Sequence, residues 1–188
     1  MRRSVSFAGL SDSASARTGG DTIQGFGELG YRFAFAGAPG PSPSIVSLAY
    51  LEPFVRGALV RIGRDRLAET GGFAALTGVA QDYDIGTSTV GLRGQANLDL
   101  GFGAPVSARA LVGYRRSYGD VVPKALLAFG TGPTFLTAGL PIDRDALVAE
   151  AGLDLLVGRG TTLGVAYTGQ VGERAQDHAV KGNFTYRF

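Results

Sequence analysis

The sequence contains no cysteine, no tryptophan and one histidine among its 188 residues. Without cysteine the chain can form neither a disulfide framework nor a thiolate metal site, and one histidine excludes sites built from several imidazoles. Charge is sparse and balanced, since 18 Lys and Arg residues face 16 Asp and Glu residues and leave a formal net charge of +2. That surplus provides no basic stripe for nucleic acid. We therefore expect no metal site and no nucleic-acid partner.

Long hydrophobic runs are also missing, although the mean hydropathy is +0.13. No stretch approaches the about 18 uninterrupted apolar residues of a membrane-spanning helix. Apolar residues that alternate with polar ones reconcile the two observations, and a transmembrane β-barrel requires that alternation. The apolar stretch after Met1-Arg2-Arg3 is short for a secretory signal. We interpret it as a strand followed by a polar loop.

The last segment shows the alternation most clearly. His178, Val180, Gly182, Phe184, Tyr186 and Phe188 share one face of an extended chain, and Asp177, Lys181, Asn183 and Arg187 share the other. Similar segments recur along the sequence. They predict an all-β, antiparallel transmembrane barrel with eight visible strands, at residues 2–9, 22–36, 45–62, 84–100, 106–118, 145–157, 161–172 and 177–188.

The predicted connections alternate in length. Long ones at 10–21, 63–83 and 119–144 follow odd-numbered strands, and short ones at 37–44, 101–105 and 158–160 follow even-numbered strands. Bacterial outer-membrane barrels have short periplasmic turns and longer external loops. The alternation therefore predicts a periplasmic C-terminus. The connection at 173–176 departs from the pattern, because it is short where a long one is expected.

Most charged residues of these segments fall on the face that would line the barrel lumen. Seven are basic and five are acidic: Glu28, Arg32, Glu52, Arg56, Arg93, Asp99, Arg109, Arg115, Glu150, Asp154, Lys181 and Arg187. They could form a selectivity lining, a catalytic pair or a polar track for a threaded chain. Because neither sign dominates, we favour hydrated salt bridges that fill the interior. Glu150 and Asp154 are four residues apart, roughly 13 Å along a strand, which is too far for a glycosidase pair.

Two further motifs suggest chemistry but lack the required context. Residues 25–30 match the G-x-G-x-x-G pattern of dinucleotide sites, yet strand alternation continues through them where a helix would have to begin. We therefore expect no cofactor. His178 is predicted to face outward near the external rim, with Asp177 on the opposite face and no serine nearby. We expect no catalytic residue and no enzymatic activity.

Several stretches, in this order, resemble the C-terminal translocator domain of bacterial autotransporters. They include FGELGYRF at 26–33, LEPFVRGALVRI at 51–62, LVGYRRSYGD at 111–120, FLTAGLPIDRDALVAEAGLDLLVG at 135–158 and DHAVKGNFTYRF at 177–188. The ending Phe184-x-Tyr186-x-Phe188 resembles the assembly signal of outer-membrane barrels. Tyr114-Arg115-Arg116 departs from the family, which commonly has a Trp-Arg-His run there.

The resemblance implies a twelve-stranded barrel plugged by an N-terminal helix, of which residues 1–188 would lack that helix and the first four strands. It implies location in the bacterial outer membrane and export of a covalently linked passenger. Expected partners are outer-membrane lipid, lipopolysaccharide and the barrel assembly machinery. Two alternatives remain open: a self-contained eight-stranded structural or adhesive barrel, and a lipid-modifying barrel hydrolase.

Overall fold

The computed structural model describes residues 2–7, 10–36, 46–99, 103–157 and 160–187. These residues form β-strands and connections, with no helix among them, and hence none that could cross a membrane. Every strand pair with a determined register is antiparallel. The strands are β1 (Arg2–Phe7), β2 (Leu10–Ala16), β3 (Gly20–Gly30), β4 (Phe33–Ala36), β5 (Val46–Arg64), β6 (Leu67–Gly71), β7 (Leu76–Gly78), β8 (Gln81–Asp99), β9 (Pro105–Gly119), β10 (Lys124–Phe129), β11 (Thr134–Ala138), β12 (Asp145–Val157), β13 (Thr161–Gly172) and β14 (Gln176–Tyr186).

The chain divides into two compact units. Unit one comprises Met1–Gly25, Ala58–Gly86 and Tyr118–Ile142. Unit two comprises Phe26–Gly57, Thr87–Ser117 and Asp143–Phe188.

Unit one contains a six-stranded sheet with the order β1-β2-β6-β7-β10-β11. This sheet corrects two sequence predictions. The segments 10–21, 63–83 and 119–144 are not loops throughout, because they contain five of its strands. The predicted strand 2–9 contains β1, which pairs with β2 in the small sheet and is not a strand of the larger one. These short strands form because they satisfy one another's backbone groups.

The larger sheet has the order β14-β13-β12-β9-β8-β5-β3, with β4 also beside β5. It includes the other seven predicted strands. The bounds of β12 and β13 agree with the predictions, whereas β5 continues two residues further, to Arg64, and β8 begins three residues earlier, at Gln81. In unit two the register places Leu147 between Tyr114 on β9 and Val171 on β13.

The predicted strand 22–36 is interrupted at residues 31–32, which separate β3 from β4. The interruption lies beside Pro53 of β5, whose carbonyl accepts a hydrogen bond from the Tyr31 N–H at 3.1 Å. Proline has no N–H to return a ladder hydrogen bond. Phe33 then pairs with Leu51, and β4 continues along β5.

The sheet in unit two has two chemically different faces. On the apolar face, large side chains are exposed: Leu51, Val55, Val90, Leu92, Val112, Tyr114, Leu147, Leu153, Leu163, Val165, Tyr167, Val171, Val180, Phe184 and Tyr186. On the opposite, charged face, Glu52, Phe54, Ala146 and Val148 are buried. A sheet in water buries its apolar side chains and exposes its charged ones. This sheet does the opposite, which is typical of strands surrounded by lipid.

Candidate functional site: the charged face of unit two

The charged face is centred on Phe54 of β5, a residue that is 3% exposed. Residues two apart on a strand project from the same face, so Glu52 and Arg56 flank Phe54 on β5. Glu28 on β3 and Arg93 on β8 come from the neighbouring strands. This set, together with Arg32, is called the Arg–Glu cluster below.

The two carboxylates of the Arg–Glu cluster are fully engaged by arginine. Arg93 donates a hydrogen bond from Nη2 to Oε1 of Glu52, and its Nη1 lies 2.7 Å from Oε1 of Glu28. The other oxygen of Glu28 lies 2.6 Å from Nη2 of Arg56, and the other oxygen of Glu52 lies 3.0 Å from Nε of Arg32. Charge-assisted pairs of this kind are the strong hydrogen bonds of proteins. Arg93 therefore joins carboxylates from two strands on either side of Phe54.

The guanidinium groups of the Arg–Glu cluster lie over aromatic rings. The guanidinium carbons of Arg93 and Arg56 lie 5.2 Å and 5.6 Å from the centre of the Phe54 ring. The guanidinium carbon of Arg32 lies 4.1 Å from the ring centre of Tyr50. Cation–π contacts within about 6 Å favour this arrangement. Three cations and two anions leave the Arg–Glu cluster with a formal surplus of one positive charge.

A second group of polar contacts extends along β9, β12 and β13. Arg109 forms an ion pair with Asp154, and Arg115 donates to Oε1 of Gln170 at 2.8 Å. Glu150 lines a cavity of about 290 Å³ together with Arg56, Arg93 and Arg109. The structure therefore brings many of the predicted lumen residues into contact, and most of these contacts are ion pairs between an arginine and a carboxylate.

The remaining predicted site residues lie elsewhere on the described strands. Asp99 is exposed at the end of β8, and Lys181 is exposed on β14 opposite Ala166. Arg187 donates its backbone N–H to the carbonyl of Gly160 at 2.8 Å. On the apolar face, Phe184 and Tyr186 are exposed opposite Leu163 and Thr161. Phe188 lies outside the described residues.

His178 stacks on Tyr167 with ring centres 6.1 Å apart, and its Nδ1 is 2.7 Å from the tyrosine hydroxyl. Asp177 pairs in register with Gln170, so it projects from the opposite face of β14. These two contacts of His178 are with an aromatic side chain and not with a serine or a carboxylate. In the described residues no group of three or more His, Cys, Asp or Glu side chains is arranged to hold a metal ion.

Sequence reasoning missed two residues that organise these strands. Phe54 could have been found, because it lies midway between Glu52 and Arg56 on the same strand face. Asp143 precedes β12, is 7% exposed and accepts hydrogen bonds from the backbone N–H groups of Arg174 and Ala175. It thus braces the short turn between β13 and β14. Nothing in the sequence near residue 143 indicates this contact, which joins residues 31 and 32 positions apart.

An antiparallel sheet with an exposed apolar face and a buried charged face has the architecture of transmembrane β-barrel domains. Comparison with known families identifies the particular class. Residues 1–168 match the model of the autotransporter β-domain, and the chain belongs to that family. The family consists of outer-membrane domains, and a passenger is linked to the domain in the precursor.

Two curated relatives match almost the whole chain. Both are extracellular serine proteases of Serratia marcescens, and each is 30% identical over 187 residues, which cover 99% of this chain. The chain spans 17% of the length of each relative. The translocator role and the all-β barrel class expected from the sequence are thereby confirmed, and the self-contained small barrel is not favoured. The match to a β-domain carries no assignment of protease activity to these residues.

Proposed function

We propose that the chain spans the bacterial outer membrane and assists the export of a polypeptide linked to it in the same precursor. The observation that carries this proposal is the contrast between the two faces of unit two. The apolar face suits the hydrocarbon region, and the Arg–Glu cluster suits a hydrated passage. The membrane-spanning segments are then the strand residues of unit two.

The sheet in unit two offers positions for further strands. Among the described residues, β3 pairs on one side only, with β5, and β14 pairs on one side only, with β13. A free edge inside lipid would leave unpaired N–H and C=O groups, each costing several kcal/mol. We propose that additional strands of the precursor pair at these edges, which agrees with a family barrel of twelve strands.

The two faces of the sheet in unit two also suggest which molecules surround the domain. Outer-membrane lipid and lipopolysaccharide would cover the apolar face. The barrel assembly machinery would recognise Phe184 and Tyr186 on β14 together with Phe188, which follows them in the sequence. We place the short predicted connections and the end of β14 on the periplasmic side, which agrees with the alternation of connection lengths.

A display experiment tests the export role. The full precursor is expressed in a Gram-negative host, and surface exposure of its linked part is measured by protease digestion of intact cells. A matched precursor without residues 46–188 should leave the linked part inaccessible. Equal surface exposure of both would contradict the proposal. A heat-modifiability gel on the membrane fraction checks independently that a closed barrel has formed, because such barrels resist SDS until boiled.

We further propose that these residues have no enzymatic activity of their own. The hydrogen bond and the ring stacking of His178 both involve Tyr167, which supports a role in packing at the apolar face. A lipid A deacylation assay on membranes with the native chain and with the His178→Ala variant tests the hydrolase alternative. Deacylation that disappears in the variant would contradict the proposal.

A further inference from the structure

A groove of about 750 Å³ lies in unit one, along parts of strands β3, β5, β8 and β9. Ile23, Leu59 and Tyr118 line it with large exposed side chains. Gly86 also lines the groove, and a Cβ atom added there would lie 3.2 Å from Cδ2 of Leu59. The volume is within the about 300–1,000 Å³ of small-molecule sites. The groove is therefore large enough for part of a ligand, in space that a side chain at residue 86 would occupy.

Two charged side chains, Arg61 and Asp84, lie at one end of this groove. Arg61 follows Leu59 by two residues on β5, and Asp84 precedes Gly86 by two residues on β8, so each projects from the same side of its strand as its neighbour in the groove. Nε of Arg61 lies 2.7 Å from Oδ1 of Asp84, and Nη2 lies 2.8 Å from Oδ2. A guanidinium has further N–H donors at Nη1, and each carboxylate oxygen can accept a second hydrogen bond. The pair can therefore bind polar groups of a ligand without separating.

The charged pair comes directly after a run of apolar side chains on β5. Val55 and Leu59 project from one side of the strand, both are exposed, and Arg61 is the next residue on that side. In transmembrane barrels the apolar band that faces lipid is flanked by aromatic residues at each interface. Tyr118 supplies an aromatic side chain in the same groove. These residues are typical of the boundary between the hydrocarbon region and the lipid headgroups.

We propose that the groove binds a phosphorylated glycolipid of the outer membrane, with an acyl chain beside Leu59 and Tyr118 and the headgroup at Arg61 and Asp84. This inference rests on the proposed function, because it requires the domain to lie in that membrane. Arg61 would donate hydrogen bonds to a phosphate group, and Asp84 would accept them from sugar hydroxyls. The apolar lining and the charged pair thus match the two parts of one amphiphile.

The charges around Arg61 distinguish such a lipid from a free phosphate ion. Asp21 and Asp82 also interact electrostatically with Arg61, so carboxylates outnumber the guanidinium group. This excess of negative charge disfavours a small anion on its own. The hydroxyl groups of a glycolipid can donate to the carboxylates, and its acyl chain gains from contact with the apolar lining. We therefore expect binding to require the acyl chain as well as the phosphate.

Native mass spectrometry tests the charged end of the groove. The full precursor is purified from outer membranes in detergent and titrated with purified lipopolysaccharide. Arg61→Gln removes the charge, and Arg116→Gln is the matched control, because Arg116 forms a similarly exposed pair with Asp145 in unit two. Loss of a hydrogen bond from a charged group predicts a Kd about tenfold higher for Arg61→Gln and unchanged for the control. Equal affinities in the native and both variant proteins, or competition by inorganic phosphate, would overturn the inference.

Gly86→Leu tests the apolar part, because the new side chain would occupy the groove beside Leu59. Gly182→Leu is the control, since it adds the same side chain on β14, where the nearest atom is 4.0 Å from the new Cβ position. We expect the first variant to bind fewer lipid molecules per domain and the control to match the native protein. If Gly86→Leu loses the heat-modifiable band, the Arg61→Gln titration decides alone. Absence of the native precursor from the outer membrane would contradict the proposed function; its presence there with unchanged lipid binding in both groove variants would contradict only this inference.

Discussion

The guanidinium carbon of Arg93 lies 5.2 Å from the centre of the buried Phe54 ring. The contact with the ring and the ion pairs with Glu28 and Glu52 together hold the guanidinium group in position. Because these partners come from β3 and β5, Arg93 on β8 cross-links three adjacent strands. The charged face is thus a stabilising element of the sheet as well as a polar surface.

Replacement of Arg93 by alanine should destabilise the folded domain. The substitution leaves Glu52, which is 6% exposed, with Arg32 as its one cluster partner, and breaking a buried ion pair costs more than the pair contributes. In a heat-modifiability gel, the band of the folded domain should disappear at a temperature several degrees lower than for the native sequence. A matched Arg61→Ala variant should show a much smaller shift, because Arg61 and Asp84 are both about 60% exposed and an exposed ion pair contributes little. Equal shifts would contradict a special role for Arg93.

The exposed pair in unit one also has a defined pH dependence. The hydrogen bond from Arg61 holds the pKa of the Asp84 carboxyl below its ordinary value. A lowered pKa means that the contribution of this pair is present at neutral pH and is lost as pH falls through the folded-state value. The Asp84→Asn variant should therefore differ from the native domain at pH 7 and not at pH 2. The rate of limited proteolysis near residues 64–66 measures this difference.

The two faces of β14 should differ in their tolerance of arginine. Gly182 pairs with Val165 on the apolar face, and the neighbouring Asn183 projects from the charged face opposite Gly164. Gly182→Arg should cost about 2–4 kcal/mol if the position is near the bilayer midplane. Asn183→Arg should cost much less. Denaturant unfolding of refolded domain in lipid vesicles measures both, and equal losses would show that the assignment of faces is wrong.

Deletion of Phe188 should impair assembly in cells more than stability. Phe188 follows the last residue of β14 by two positions, so we expect its loss to cost less than the about 3–5 kcal/mol of a buried Phe→Ala change. Recognition during insertion is kinetic and can depend on one side chain. We expect a low yield in the outer membrane of cells and normal refolding in detergent, measured on the full precursor. A similar loss in both would make Phe188 an ordinary packing residue.

Substitution of Asp143 by alanine should loosen the turn between β13 and β14. It leaves the N–H groups of Arg174 and Ala175 without their carboxylate acceptor. Because Arg174 is exposed and Ala175 half-buried, the cost should be below the about 1–3 kcal/mol of fully buried groups. Asp143→Asn retains one acceptor oxygen and should be milder. Faster proteolysis at residues 173–175 in the alanine variant measures the effect. An unchanged rate would show that the turn is stable without the hydrogen bonds to Asp143.

The long strands could be predicted from sequence because each has enough residues to display the two-residue period. The alternation at Leu163, Val165 and Tyr167 identifies β13 without reference to its neighbours. β7 has three residues and β11 has five, too few for a period, and their pairing depends on partners distant in sequence. The six-stranded sheet could therefore not be predicted.

The charged face of unit two could likewise be predicted only in part. The charged face of β5 could be predicted, since Glu52 and Arg56 alternate with Leu51 and Val55. The contacts of Arg93 could not, because periodicity within a strand does not fix the register between strands. A shift of β8 by two residues against β5 would preserve every predicted face and separate Arg93 from Glu52.

The Asp143 brace has a consequence for the order in which the chain assembles. β12, β13 and β14 form an uninterrupted meander, and the brace connects the residue before β12 to the last turn. The contacts within this meander span at most 32 residues, so loop-closure entropy penalises them less than pairings between more distant strands. Hairpins form within about 1–10 μs, far faster than sheets that require distant pairings. We therefore expect the meander to form a nucleus onto which earlier strands are added, so that the sheet grows from β14 towards β3.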